Sequence, residues 1–204
     1  MIKPFRVFKR AFKLWWDEWF LLTVLHIGWF LAQFLIVTGP PATAVLYAMV
    51  RRSIDGDYWD HREVWEALRR LFWPAWRWAG LNLLVGGVVL FNLLVFQDNA
   101  GGMWPILRVV WSVALVLWAS LNLFYWPFWL AQADKSMRTT YANCGRFLLL
   151  NVWQAPLLIL ACLVLAVVSV LTTLPFTLAL FVWLALLAET AVRQSLSTMS
   201  PEPG

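Results

Sequence analysis

Two ionisable side chains lie within or at the end of long apolar runs, where they could carry protons. His26 lies in the middle of one run, and Glu189 lies at the end of another, one helical turn before Arg193. An ionisable group in such a run is a candidate for a proton relay. No carboxylate is expected at the depth of His26, so packing is the simpler interpretation there. For Glu189 the simpler interpretation is an ion pair with Arg193.

Residue patterns for catalysis or metal binding are not found in the sequence. His26 and His61 fall in unlike surroundings and cannot ligate one haem, and no Cys, His, Asp and Glu cluster has metal-ligand spacing. Neither a phosphate-binding loop nor a nucleophile elbow occurs. Cys144 and Cys162 are too few for a disulfide framework and are expected to be reduced thiols. The sequence therefore predicts a protein that is not an enzyme and has no cofactor and no metal.

A helix-breaking segment, Thr38 to Ala44, interrupts the first apolar run. Its residues Gly39, Pro40 and Pro41 cannot continue a helix, but the prolines suit the first turn of a new one with Thr38 as N-cap. A helix start inside a membrane can bind a small polar or anionic ligand, here through Thr38, Gly39 and Thr43. A tight helical turn without a ligand is the simpler alternative.

Amide side chains are the other polar groups inside the apolar runs. Buried amides more often hydrogen-bond one helix to another than bind a substrate. We therefore expect a structural role for most of them: Gln33, Asn82, Asn92, Asn122, Asn151 and Gln154.

The composition is that of a membrane protein. Of the 204 residues, 62% are hydrophobic and 13% are charged, against about 45–50% and 25% in soluble domains. Several runs reach the roughly 20 residues that one membrane crossing needs. We predict an all-α, polytopic transmembrane helical bundle with about six membrane segments and one or two interfacial amphipathic helices, in a single domain over residues 1–204.

Within that domain the hydropathy pattern gives five parts. They are a basic interfacial segment at 1–18, a broken helical hairpin at 20–55, an interfacial helix at 58–73 that Pro74 ends, and hairpins at 78–130 and 148–190. Asp57 or Asp60 would start the interfacial helix, and Gly56 would cap the helix before it. Turns are expected at Gln97 to Gly102 and around Thr172, Thr173 and Pro175.

The basic residues select between two topologies. If the chain does not reverse at the Gly-Pro-Pro break, ten of the sixteen basic residues lie outside; if it does reverse, all except Arg108 face the cytoplasm. The second arrangement predicts cytoplasmic N- and C-termini. The basic residues and most of the sixteen tryptophans would then lie at the inner surface, which favours anionic lipid over nucleic acid as the partner.

The chain resembles the YesL-like family of bacterial membrane proteins, a domain of unknown function. The resemblance rests on the start Lys3 to Phe8, on the Thr38 to Ala44 segment with Tyr47 and Arg51-Arg52 after it, and on the polar stretch before Asn151. It implies a bacterial plasma membrane protein with an accessory role in carbohydrate uptake by ABC-type importers. It implies no catalytic residue.

Two functions follow as hypotheses. One is a non-enzymatic membrane protein that assists or regulates a carbohydrate importer, with importer subunits docking on its basic inner face. The alternative is a small solute transporter or channel whose site is the broken helix at 38–44.

Overall fold

The computed structural model describes residues 2–95, 102–172 and 179–199, and within them the chain is all-α. These described residues form eight helices: α1 (Pro4–Asp17), α2 (Trp19–Phe34), α3 (Gly39–Asp55), α4 (His61–Val95), α5 (Trp104–Ala131), α6 (Met137–Leu150), α7 (Gln154–Thr172) and α8 (Leu180–Met199). The predicted turns at 97–101 and at Thr173 and Pro175 lie outside the described residues.

Three of the described helices, α4, α5 and α7, are long and apolar enough to cross a membrane. The predicted number of about six membrane segments is not confirmed. Helix α2 is apolar but has 16 residues, or about 24 Å at 1.5 Å per residue, against a hydrocarbon layer of about 30 Å. Helix α3 ends in a polar turn that contains Arg51, Arg52 and Asp55.

Helices α2 and α3 form an antiparallel hairpin whose turn, residues 35–38, directly precedes the Gly-Pro-Pro residues in the first turn of α3. The Trp29 Nε1–H donates to Thr43 Oγ1 at 3.0 Å and the Gln33 amide donates to the Gly39 carbonyl at 3.3 Å. These bonds join residues on either side of the turn, so the chain reverses there. Gly56 ends α3 in the left-handed region, with φ of 77°, where glycine has no steric penalty.

Helix α4 corrects one prediction. Pro74 does not end an interfacial helix, because α4 continues through it from His61 to Val95. A proline removes one backbone hydrogen bond and tends to kink the helix, but α4 contacts α3 before this point, where Glu63 pairs with Arg52, and contacts α5 after it, where Trp78 binds Asn122. The apolar stripe over 61–73 and the apolar run after 78 therefore belong to one element.

Of the two residues predicted to start this helix, Asp57 and Asp60, it is Asp60 that directly precedes α4. Its backbone N–H donates to Glu63 Oε2 at 2.9 Å and its carboxylate accepts from the Arg62 N–H at 2.7 Å. This arrangement is a capping box with aspartate at the N-cap. The interfacial position of residues 58–73 stays a prediction.

The middle of α4 lies beside the turn of the α2–α3 hairpin. The Trp76 Nε1–H donates to the Val37 carbonyl at 3.1 Å. The first half of α4 therefore runs along the hairpin, and the second half extends beyond the turn. It is antiparallel to α5, because Trp78 binds Asn122 at 2.8 Å and Asn82, one turn further along α4, binds Trp118, one turn earlier on α5, at 2.9 Å. Large apolar side chains on these extensions are exposed, including Leu83, Leu94 and Val109.

The core is built around α3 and α8. Residues 44–50 of α3 and 185–188 of α8 are buried without interruption. The aromatic end of α5 packs beside them, with Phe124, Tyr125 and Trp126 fully buried. These three helices bring the polar ends of α3 and α8 together, and that is where the charged residues meet.

Candidate functional site

Four charged side chains from α3 and α8 form a cluster at one end of the core, and we call this end the basic end. Arg51 and Asp55 are one turn apart on α3, and Glu189 and Arg193 are one turn apart on α8. Residues at this spacing share a helix face. Each helix therefore presents one cation and one anion to the other.

Glu189 is the buried centre of this cluster, with no exposed surface. Its Oε1 accepts a hydrogen bond from Arg193 Nε at 3.0 Å and lies 3.4 Å from an Arg51 guanidinium nitrogen. The pair with Arg193 that the sequence suggested is present, and Arg51 is a second cation on the same oxygen.

Arg193 also binds Asp55 through both guanidinium Nη atoms, one of them 2.9 Å from Oδ2. The hydrogen bond from Arg193 holds the pKa of Asp55 below its usual range, and the charge of Arg51 adds to the effect. A further hydrogen bond of 3.2 Å joins Arg193 to the Arg51 carbonyl. The cluster therefore fixes the end of α3 to α8.

A cavity of about 670 Å³ lies next to the cluster, between α1 and α8. Its wall includes Arg6 and Arg10 of α1 and Glu189, Thr190 and Arg193 of α8. Helix α1 is held there by hydrogen bonds from the Ile2 N–H to Asn151 at 3.0 Å and from the Lys3 N–H to Gln194 at 2.9 Å.

Lys135, in the segment between α5 and α6, adds to the positive charge at this end. Burial lowers the pKa of Lys135, and the nearby charges of Arg51 and Arg70 lower it further. Its ammonium group donates to the carbonyls of Trp129 and Gln132, both at 2.7 Å. Cations from four parts of the chain thus converge at the basic end.

The polar side chains of the break are occupied within the hairpin. Thr38 is the N-cap residue of α3, as predicted, but its side chain makes no capping hydrogen bond there. Its Oγ1 instead donates to the carbonyls of Ala32 and Leu35 at the end of α2, at 2.9 and 3.0 Å. Thr43 Oγ1 accepts from Trp29 and donates to the Gly39 carbonyl at 3.2 Å.

Pro40 and Pro41 occupy the first turn of α3, as the sequence predicts. A cavity of about 380 Å³ lies beside Gly39 and Pro40 and is also lined by Trp76 and Asn82. The hydrogen bonds at the break are those of a turn, and this cavity is a feature there that could hold a solute.

Asn82 and Asn122 join three helices. Asn122 Oδ1 accepts from Trp78 of α4 at 2.8 Å and from Tyr141 of α6 at 3.0 Å. Asn82 Oδ1 accepts from Trp118 of α5 at 2.9 Å. These are the structural roles expected of amides in a helical bundle.

The other predicted polar residues lie apart from this network. Asn151 is buried and binds the Ile2 N–H, whereas Asn92 donates to the Val88 carbonyl of its own helix at 2.8 Å. His26 is buried, with its ring centroid 5.5 Å from that of Trp29 and 6.1 Å from that of Phe181. The aromatic surroundings fit packing.

Within residues 2–95, 102–172 and 179–199, no group of three or more His, Cys, Asp or Glu side chains could hold a metal ion. Cys144 and Cys162 are both buried free thiols. Burial raises the pKa of Cys144 to about 12, and a thiol that stays protonated is a poor nucleophile.

Sequence reasoning missed the contact between Asp55 and Arg193 and the cavity beside α1. These features join residues 138 positions apart in one case, and no local spacing signals them. Comparison of the chain with protein-family models, with curated proteins and with solved structures gives no match.

Proposed function

We propose that this chain is a non-enzymatic, multi-spanning protein of the bacterial plasma membrane whose basic end faces the cytoplasm and docks a partner protein. On the resemblance to the YesL-like family, that partner is a subunit of an ABC-type carbohydrate importer, which the protein assists or regulates. Three apolar helices of membrane-spanning length support the membrane location.

The observation that carries the docking role is the convergence of cations at the basic end. Arg6, Arg10, Lys135, Arg51 and Arg193 come from α1, the α5–α6 segment, α3 and α8, and the cluster around Glu189 fixes α3 to α8. A charged surface on a fixed scaffold suits recognition by electrostatic complementarity, which sets the association rate and the orientation of a partner. Anionic lipids would contact the same end.

Site-specific crosslinking in native membranes tests this role. A photoreactive residue in place of Lys9, at the exposed surface of α1, is expected to capture an importer subunit that mass spectrometry identifies. The matched control is the same residue in place of Leu84, on the exposed apolar face of α4, which is expected to capture lipid. Repeated absence of importer subunits from the Lys9 sample would contradict the role.

A second candidate, a small solute transporter with its site at 38–44, is favoured by the cavity of about 380 Å³ beside Gly39 and Pro40. Solute flux into proteoliposomes, compared with Gly39→Leu and Thr43→Val, tests it. A Cβ at Gly39 would lie 3.0 Å from Gln33 Oε1, so a larger side chain must displace Gln33 and alter the cavity. Unchanged flux in both variants would exclude this site.

A further inference from the structure

The cavity between α1 and α8 has the volume of a ligand site. We call it the α1–α8 cavity. It measures about 670 Å³, and small-molecule sites usually measure about 300–1,000 Å³. The charged and polar side chains that matter here are Arg6, Arg10, Arg51, Glu189, Thr190 and Arg193.

Two oxygen atoms of this wall are buried without a hydrogen-bond partner in the described part of the chain. They are Glu189 Oε2 and Thr190 Oγ1. Glu189 has no exposed surface and Thr190 is 4% exposed. A buried polar atom without a partner is unfavourable, and both atoms belong to consecutive residues that line the α1–α8 cavity, so the wall lacks a hydrogen-bond donor for them.

The cations of the wall divide into two pairs. Arg51 and Arg193 already bind Glu189 and Asp55. Arg6 and Arg10 are exposed, and within the described residues neither has a carboxylate at ion-pair distance. They are one turn apart on α1, so both guanidinium groups can reach one anion. Arginine binds phosphate with two parallel hydrogen bonds.

We propose that the α1–α8 cavity binds a glycerophosphate group. Arg6 and Arg10 hold the phosphate, and the neighbouring hydroxyls of the glycerol donate to Glu189 Oε2 and Thr190 Oγ1. The wall contains four arginines and one carboxylate. A further cation such as an ammonium group would be repelled by the arginines, so a neutral hydroxyl is the better donor here.

The glycerophosphate group has two sources, soluble sn-glycerol 3-phosphate and the headgroup of phosphatidylglycerol. The cavity lies at the basic end, where a lipid headgroup and a solute would both have access if that end is at a membrane surface. The site does not depend on the proposed docking role, because it can be measured on the purified chain without any partner.

The experiment uses the full chain in nanodiscs of phosphatidylcholine. Isothermal titration with sn-glycerol 3-phosphate, and separately with inorganic phosphate, measures the soluble source. Native mass spectrometry measures the lipid source. For this arm the nanodiscs contain phosphatidylglycerol, phosphatidylcholine and phosphatidylethanolamine, and the lipid that stays bound to the chain is identified. Low ionic strength is used in both arms because salt screens exposed arginines.

Three variants define the site. Arg10→Gln removes one cation from the wall, and Lys9→Gln, its neighbour on α1 outside the wall, is the control for the lost charge. Thr190→Val keeps the shape and removes the hydroxyl. We expect Arg10→Gln to weaken binding of the preferred probe about tenfold and Thr190→Val about threefold, with Lys9→Gln close to the parent chain. Thermal unfolding confirms that each variant is folded.

Each outcome decides the proposal. Tighter binding of sn-glycerol 3-phosphate than of inorganic phosphate, lost in Arg10→Gln, supports the soluble source. Selective retention of phosphatidylglycerol, lost in the same variant, supports the lipid source. Equal effects of Arg10→Gln and Lys9→Gln, preference for phosphatidylethanolamine, or no binding in either arm would overturn it. Binding of inorganic phosphate alone, unaffected by Thr190→Val, would overturn the role of the two oxygens.

Discussion

Glu189 is the residue on which most of the basic end depends. A buried ion pair contributes little over a well-packed apolar pair, because removing the charges from water costs about as much as their attraction returns. Loss of one partner is different, since it leaves the remaining charge without compensation. Glu189 holds two arginines through one oxygen, so its loss affects both.

We predict that Glu189→Gln lowers the free energy of unfolding by about 3 kcal/mol. Denaturant titration in mild detergent measures this change. Glu66→Gln is the control, because Glu66 is exposed and surface charges contribute about 0–1 kcal/mol. Equal stability of the two variants would show that the cluster does not hold α3 and α8 together.

Asp55 makes stability depend on pH. Hydrogen bonding to Arg193 lowers the pKa of Asp55 in the folded chain, so the native state favours the ionised form. The contribution is therefore present above the ordinary aspartate pKa of about 3.9 and is lost as pH falls through the lower folded pKa.

The expected result is that Asp55→Asn melts at a lower temperature than the parent chain at pH 7, and that the difference shrinks as the pH falls below about 4. Thermal unfolding between pH 7 and pH 3 measures it. A difference that stays constant over this range would mean that the carboxylate charge of Asp55 does not stabilise the fold.

At the scale of helices, the amides decide how α4, α5 and α6 meet. Asn122 accepts hydrogen bonds from Trp78 of α4 and from Tyr141 of α6, and leucine at this position would remove the acceptor of both bonds. We expect Asn122→Leu to lower the free energy of unfolding by about 2 kcal/mol. The amide of Asn92 donates to the Val88 carbonyl of its own helix, so Asn92→Leu is expected to change the free energy of unfolding by less than about 0.5 kcal/mol.

Gly56 determines where α3 ends. Its φ of 77° is in the region that side chains with a Cβ rarely adopt. Gly56→Ala is expected to destabilise the fold by about 1 kcal/mol. Gly80→Ala, in the interior of α4 where a Cβ meets nothing within 4 Å, is expected to be neutral or stabilising. Denaturant titration of both variants tests the difference in sign.

The helices could be predicted from sequence where the signal was local. The break at Gly39 to Pro41, the cap at Gly56 and the all-α class follow from residue types alone. Pro74 was misread because packing on both sides of it outweighs its local preference to end a helix. Thr38 is the N-cap residue of α3, as predicted, but its hydroxyl donates to carbonyls at the end of α2, and this choice of partner depends on the turn geometry.

The candidate site was less predictable than the helices. The i,i+4 pair of Glu189 and Arg193 is visible in the sequence, but Asp55 and Arg51 join it only through the packing of α3 on α8. Likewise, nothing in the spacing of Arg6 and Arg10 indicates that they line the same cavity as Thr190. Tertiary contacts between residues far apart in the chain are not encoded in any local pattern.

At the scale of the whole molecule, the proposed orientation can be tested by labelling. We expect Asp57→Cys to resist a membrane-impermeant maleimide in intact cells and to react after permeabilisation. Met103 precedes α5, and its side chain is 68% exposed. We expect Met103→Cys to react with the maleimide in intact cells. The native thiols are buried and give little background. Reaction of Asp57→Cys in intact cells would reverse the proposed orientation.

The attachment of α1 has a consequence for biosynthesis. Ile2 and Lys3 bind Asn151 and Gln194, and Phe8 lies 5.7 Å from Trp183. During synthesis, α1 therefore leaves the ribosome long before α8, the helix that packs on it, has been made. Until then the apolar stripe of α1 needs a temporary cover, for which its lysines and arginines suit the lipid surface. Final assembly must wait for the last helix of the described chain.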